Sequence, residues 1–307
     1  MILSVCPNPS IDCTMELEQL VVGRLNRVNN KIVTYSGKAL NSAIGVKRLG
    51  GDSFATGFMY ENEGSLFVSN LDKEGVKNSF VWNKGHVRTN YKIVDNRSML
   101  TEINDKGENV SKENQQKLLS LVETLSKNAS VVIMSGSLPS GVDEDFYFKL
   151  AKSVNKSAKI IVDTEGEKLK KALNANVFMV KPNLRELEQI ANKALTSRKD
   201  MLLACYSLID AGAQNVLLSL GREGAILTDG TESYFCKSTS VAVNSTVGAG
   251  DSMVAAASVM IEQGESKAEI LKNAVAAGTA SITTPGTNLF YRDKFEEIYG
   301  KISVVKI

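Results

Sequence analysis

Ser130-Val131-Val132-Ile133-Met134-Ser135, running into Gly136-Ser137-Leu138-Pro139, is the stretch on which the fold turns. Four consecutive apolar residues require burial on both faces of a short strand, and the glycine and proline after them force a turn. The pattern repeats on either side: helices are expected over residues 111–127, 143–155 and 165–173, and strands over 159–163 and 177–180. Short apolar strands alternating with helices specify a parallel sheet covered on both faces, whose binding loops gather at the strand C-termini. Three such loops stand out. They are Gly136-Ser137-Leu138-Pro139, Lys181-Pro182-Asn183, and Gly221-Arg222-Glu223-Gly224 after a strand at 216–220; the glycines at 221 and 224 are equally those of a plain hairpin.

Toward the N-terminus, residues 2–6 read as a buried strand ended by Pro7-Asn8-Pro9, with Asp12 just past that end, where a carboxylate lines a cleft or merely serves a turn. A helix opens at Ser36-Gly37-Lys38-Ala39-Leu40-Asn41 and stops at Gly50-Gly51. Gly37 permits close backbone approach, and Lys38 and Asn41, three apart, present a cation and an amide on one face; a solvated helix start has the same signature. A strand is expected at 55–59 and a helix at 63–73. Residues 14–35 favour short strands, and 80–103 form a ribbon with one polar face. The expected organisation is therefore one domain over 1–307, with a small β-sheet lid from roughly 13–35 and 80–107 inserted into the α/β core as a cleft cover, a dimer surface or both. Arg88 in that ribbon is placed to grip a substrate phosphate with two hydrogen bonds, unless it is an exposed edge residue.

Near the C-terminus, Ser245-Thr246-Val247-Gly248-Ala249-Gly250-Asp251-Ser252 precedes an apolar run over 253–261. Two glycines, an acid and a helix-forming run describe a loop entering a helix whose first N–H groups are exposed, an anion site with a carboxylate beside it. Such a pair holds a phosphoryl group while Asp251 takes a proton from a hydroxyl, although a first-turn acid favoured by the helix dipole looks the same. Asn183 and Glu186 are again three apart at a helix start, which suits Mg²⁺ through its retained waters or a capping box. A small-residue helix over 267–281 either walls a flat pocket or packs closely on a neighbour.

Composition removes other classes. With 36 Lys and Arg against 34 Asp and Glu, the net charge of +2 gives no footprint for nucleic acid or an anionic membrane. The 4 cysteines lack C-x-x-C spacing and there is 1 histidine, which argues against a zinc site, a disulfide framework or a hydrolase triad. No signal-like or membrane-spanning run is present, so a reducing, cytoplasmic setting is expected. A Walker A loop is missing. A dinucleotide fingerprint would need a third glycine where Met253 stands, leaving nicotinamide chemistry a weak alternative.

The chain is similar over its length to the ribokinase-like (PfkB-type) sugar kinases, in particular their 1-phosphofructokinase and tagatose-6-phosphate kinase branch. The resemblance is carried by Asn8-Pro9-Ser10-Ile11-Asp12, Asn26-Arg27-Val28, Gly37-Lys38 with Asn41, Arg88-Thr89-Asn90, Thr101-Glu102-Ile103, Ser135 to Pro139, Lys181-Pro182-Asn183 with Glu186, Ser219-Leu220-Gly221, and Thr246 to Ser252. It implies a three-layer α/β/α kinase using ATP and Mg²⁺ on a sugar phosphate, and a lid that pairs two subunits. Asp251 would be the base and Gly248, Ala249 and Gly250 the anion hole. Asp12, Gly37, Lys38 and Asn41 would hold the sugar, with Arg88 and Ser137 toward its phosphate. Lys181, Asn183, Ser219, Gly221, Gly224 and Thr246 would line the nucleotide site, and Asn183 and Glu186 would organise the metal. The Thr-Val-Gly-Ala-Gly-Asp wording resembles that of 1-phosphofructokinases and implies fructose 1-phosphate over tagatose 6-phosphate. Three departures from the family pattern stand out: Ala39 and Ala256 replace glycines, and Tyr60-Glu61 replaces a glycine pair. If Ala39 has to take a positive φ or admit the sugar closely, its methyl would weaken binding or change the preferred sugar, and these changes leave a non-catalytic nucleotide or sugar-phosphate sensor as the reading of another class.

Overall fold

The computed structural model describes residues 1–97, 99–284 and 289–307. Strand β1 (Ile2–Cys6) is followed by β2 (Ser10–Glu16), β3 (Asn30–Ser36), helix α1 (Lys38–Arg48), β4 (Ser53–Asn62), α2 (Gly64–Lys73) and β5 (Lys77–His86). After β6 (Arg88–Val94) and β7 (Leu100–Asn104) the chain alternates through α3 (Lys112–Ser126), β8 (Val131–Ser135), α4 (Phe146–Ser153), β9 (Lys159–Asp163), α5 (Gly166–Leu173) and β10 (Val177–Val180). Then come α6 (Leu184–Ala191), α7 (Arg198–Asp210), β11 (Ala213–Ser219), the hairpin β12 (Ala225–Thr228) and β13 (Ser233–Cys236), α8 (Ala249–Gln263), α9 (Lys267–Ser281), α10 (Arg292–Tyr299) and β14 (Val304–Lys306).

The large sheet has the order β14-β13-β12-β11-β10-β9-β8-β1-β4-β5 and runs parallel from β11 to β5. Its strands alternate between two cores. In β8, Val131 and Ile133 join the core under α1, α2, α8, α9 and α10, while Val132 and Met134 join the one under α3 to α7. Each such side chain contributes roughly 1.5–3 kcal/mol by leaving water, which is why a continuous apolar run can only be a two-faced central strand. The result is a three-layer α/β/α domain. No helix among the described residues is long and apolar enough to cross a membrane.

The second sheet has the order β3-β2-β6-β7. Two expectations are corrected here. Asp12 lies inside β2, in register with Thr34 and Asn90, and is no turn residue after β1. Residues 80–86, expected in the polar-faced ribbon, instead belong to β5 and pair with β4 at the edge of the large sheet. The reason is that Phe80 and Val81 are adjacent and both buried, one in each core, so this strand has two covered faces. The structure adds the pairing of β13 with β14 and helix α7, which Ser197 caps by accepting the Asp200 N–H.

Helix α8 is wedged between α1 and α9. A Cβ on Gly45 would stand 2.7 Å from Cβ of Ala255, and one on Gly278 would stand 2.7 Å from Cγ of Met253. The missing side chains let the three backbones approach, and this fixes the start of α8 over the strand ends.

Candidate active site

A single cavity of about 640 Å³ opens at the C-terminal ends of the parallel strands, between the large and the small sheet. Every candidate residue named from the sequence lines it. Its floor is the start of α8. Gly248 takes a left-handed φ of 83° as N-cap, no side chain caps the helix, and Ala249 and Gly250 line the cavity, so the first N–H groups of α8 are left for a ligand. A Cβ on Gly250 would come 3.1 Å from Nζ of Lys181, so glycine here keeps that ammonium beside the helix start.

Asp251, in the first turn, is only 6% exposed. Asn41 of α1 donates from Nδ2 to its Oδ2 at 2.7 Å, and Ser42 donates to its backbone carbonyl at 3.1 Å. Burial pushes the Asp251 carboxyl up from 3.8 to about 6; Lys38, the Asn41 hydrogen bond and Lys181 hold it down, while Asp163 adds to the rise. The result is a carboxylate basic enough to take a proton yet ionised at neutral pH.

Asp163, at the end of β9, is a residue the sequence reading missed, although its place at a strand C-terminus is the signal that marks cleft residues. It is 1% exposed, with Lys181 at 3.3 Å and Lys38 at 3.9 Å. Burial works to raise its carboxyl, but the two ammonium groups and the hydrogen bonds from Lys181 and Ser135 hold it below the usual carboxylate range. In return Asp163 raises the Lys38 ammonium above its ordinary value, and Lys38 stays charged in the cavity. Both lysines are thereby aimed at the space in front of α8.

The small sheet supplies the roof. Asp12 Oδ1 accepts from Ser10 and Asn90, each at 3.1 Å, and Oδ2 accepts from Lys92 at 2.9 Å, an ion pair buried on both sides. Ser10 stands two residues before Asp12 on β2, whereas Asn90 and Lys92 escape a reading of the sequence because only the β2–β6 register brings them to Asp12. Arg88 donates from Nη2 to the Asn8 carbonyl at 3.2 Å and from Nη1 to the Asp105 carbonyl at 3.1 Å, while Ser137 Oγ accepts from Asn8 Nδ2 at 3.1 Å. A guanidinium and a hydroxyl thus flank one corner of the cavity. Gly37 admits no side chain, since a Cβ would meet Sγ of Cys6 at 2.7 Å.

The opposite end is lined by Ser219, Gly221, Gly224 and Thr246, with Val247, Val275 and Ile282 as an apolar wall. Gly224 has φ 104°, and a Cβ there would fall 1.9 Å from the Cys236 carbonyl oxygen. Asn183 and Glu186 form a complete capping box, Glu186 N–H donating to Asn183 Oδ1 at 2.8 Å and Asn183 N–H to Glu186 Oε2 at 2.9 Å. No cluster of three or more His, Cys, Asp or Glu suited to a metal occurs among the described residues. Glu186 lines the cavity, and a lone carboxylate oxygen is a donor of the kind Mg²⁺ accepts beside retained waters.

The departures at Ala39 and Ala256 are explained by the core. Both are fully buried in helices, Ala39 without a positive φ, and neither lines the cavity, so the condition under which the Ala39 methyl would disturb the sugar is not met. They give the non-catalytic sensor reading no support.

An uncapped helix start, a buried carboxylate and two lysines at one point are groups of the kind phosphoryl transfer to a hydroxyl needs, and the protein is a sugar-phosphate kinase in class. The chain belongs to the pfkB family of carbohydrate kinases, whose profile matches residues 7–294. It is 35% identical to the 1-phosphofructokinase of Borreliella burgdorferi, over 92% of this chain and 91% of that protein. It is 31% identical to a tagatose-6-phosphate kinase of Staphylococcus epidermidis over the full length of both. Among solved structures, phosphofructokinase-2 of Escherichia coli superimposes with a TM-score of 0.90 at 30% identity, covering 98% of each chain, and the same enzyme has been solved with fructose 6-phosphate.

The buried charge has a thermodynamic signature. A folded-state value near 6 against 3.8 means that ionised Asp251 costs about 3 kcal/mol of stability at pH 8, a cost that fades as pH falls through 6 toward 4. Asp251→Asn is therefore expected to raise the melting temperature clearly at pH 8 and little at pH 4; an equal change at both would contradict a desolvated carboxylate.

Proposed function

We propose that this kinase transfers the γ-phosphoryl group of ATP to the free primary hydroxyl of a ketohexose monophosphate, with fructose 1-phosphate as acceptor and fructose 1,6-bisphosphate as product. The observation that carries the reading is the Asp251 carboxylate held at 2.7 Å by Asn41 beside the uncapped start of α8. A hydroxyl bound there gives its proton to Asp251 as its oxygen attacks the γ-phosphorus, and ADP departs on the far side. The N–H groups of the Gly248 to Gly250 turn take the negative charge that develops on the transferring group. Lys38 and Lys181, aligned by Asp163, add positive charge in the same space. Asn183 and Glu186 would hold Mg²⁺, which when bound neutralises charge on the phosphates of ATP.

The sugar lies under the small sheet. Asp12, Gly37, Lys38 and Asn41 take its hydroxyls, and Arg88 with Ser137 takes the phosphate it already carries. Ser219, Gly221, Gly224 and Thr246 receive the nucleotide, its base against the apolar wall at Val275 and Ile282. The likeness to the Borreliella burgdorferi enzyme and the Thr246-to-Asp251 wording favour fructose 1-phosphate, and the full-length likeness to the staphylococcal enzyme keeps tagatose 6-phosphate as the second reading.

The small sheet also offers a surface for a second copy. Val33, Cys13, Tyr91 and Ile103 form one cross-strand row, and Val33, Tyr91 and Ile103 are 42%, 41% and 56% exposed. An apolar row on the outer face of a lid that is polar within is suited to pairing two subunits.

ADP release should be fastest with fructose 1-phosphate in a panel that includes tagatose 6-phosphate and fructose 6-phosphate, and Asp251→Asn should cut turnover by roughly 100-fold or more. Near-normal turnover of that variant would refute the assignment of the base; no turnover of the wild type with any of the three would refute the substrate class. In sedimentation experiments the wild type is expected as a dimer and Ile103→Asp as a monomer, whereas a monomeric wild type would sink the pairing.

A further inference from the structure

Glu63 occupies a backbone conformation that nothing local explains. Its φ is 61°, in the left-handed region that costs a long side chain energy, and it sits at the N-cap of α2 without capping that helix. Its carboxylate is spent elsewhere. Oε1 lies 3.1 Å from Nδ1 of His86, and Oε2 accepts the Val87 N–H at 3.3 Å. Asn62 Nδ2 stands 3.1 Å from His86 Nε2 and can only donate there, so in the neutral ring Nδ1 carries the proton and donates to Glu63.

These contacts fall on the joint between the two sheets. β5 of the large sheet ends at His86, β6 of the small sheet starts at Arg88, and Val87 alone lies between. The β4–β5 register shifts between Tyr60 and Asn62, which brings Asn62 opposite His86. With side chains 66% and 32% exposed, the His86–Glu63 pair contributes little to global stability. What it does is fix the direction in which the chain leaves the large sheet, one residue before Arg88. A Cβ on Gly64 would meet the Trp82 ring at 2.7 Å, so the start of α2 is seated on β5 and Glu63 has a rigid base.

We propose that Glu63 is a positioning residue: by gripping the His86–Val87 crossover it holds the small sheet, and Arg88 with it, in place over the sugar-phosphate end of the cleft. The kinetic part of this rests on the reading that Arg88 binds the phosphate of the sugar; the mechanical part does not. Displacement of a binding group by about an ångström is enough to weaken a charged contact severely. Loss of Glu63 should therefore act on the sugar phosphate and spare ATP.

The test compares the wild type with Glu63→Gly, which removes the carboxylate and at the same time relieves the backbone, and with Glu63→Gln, which keeps an oxygen for Val87. Glu63→Gly should keep its melting temperature, raise the KM for the sugar phosphate ~5- to 10-fold and leave the KM for ATP within ~2-fold, while Glu63→Gln restores most of the affinity. Hydrogen exchange of the amides at 87–92 in the ligand-free protein should quicken ~10-fold in Glu63→Gly. Unchanged exchange there, or a fall in melting temperature with both KM values rising together, would overturn the proposal. If the wild type turns over no sugar phosphate, the kinase substrate reading fails, and the exchange measurement still decides for or against the latch.

Discussion

The hydrogen bond from Asn41 to Asp251 joins residues 210 positions apart, and the working geometry of the cleft depends on it. It exists because α1 and α8 cross with no side chain at Gly45 to keep them apart, and because α9 presses on α8 from the other side at Gly278. An acid in the first turn of a helix is common and usually solvated. Here the crossing buries it, and the single amide it is granted keeps the ionised form accessible without cancelling the cost of burial.

Around that bond two carboxylates are pushed in opposite directions. Asp251 is raised by desolvation with few compensating donors, whereas Asp163, equally buried, is held ionised by Lys181 and Lys38. In the proposed mechanism the first carboxylate receives the proton, and the second stays charged and holds two cations where the phosphoryl group would pass. On the other side of the cavity Asp12 is paired with Lys92, so charge is balanced locally on each wall although the whole chain carries only +2.

Much of this was legible in the sequence, for identifiable reasons. The buried strands declared themselves by continuous apolar runs, as at Val131 to Met134, and the start of α8 by its glycines before an acid. The small sheet is visible as β-rich segments, but residues 80–86 belong to the large sheet, because adjacent Phe80 and Val81 look alike in sequence whether one face or two is covered. Asp163 has the ordinary look of a strand-end acid until the lysines at 38 and 181 are brought beside it, and Asn90 and Lys92 reach Asp12 only through strand register. Ala39 shows the reverse error: a departure read as a change in the site proves to be a methyl packed in the core.

The account stands on Asp251 being a desolvated base, and the pH dependence of kcat/KM for the wild type reads that property directly. A single acid limb with its midpoint near 6 is predicted, with activity lost as pH falls through it, because the protonated carboxyl cannot accept the proton of the hydroxyl. A midpoint near 4, the range of an ordinary exposed carboxylate, or a rate that stays level through that range, would contradict it.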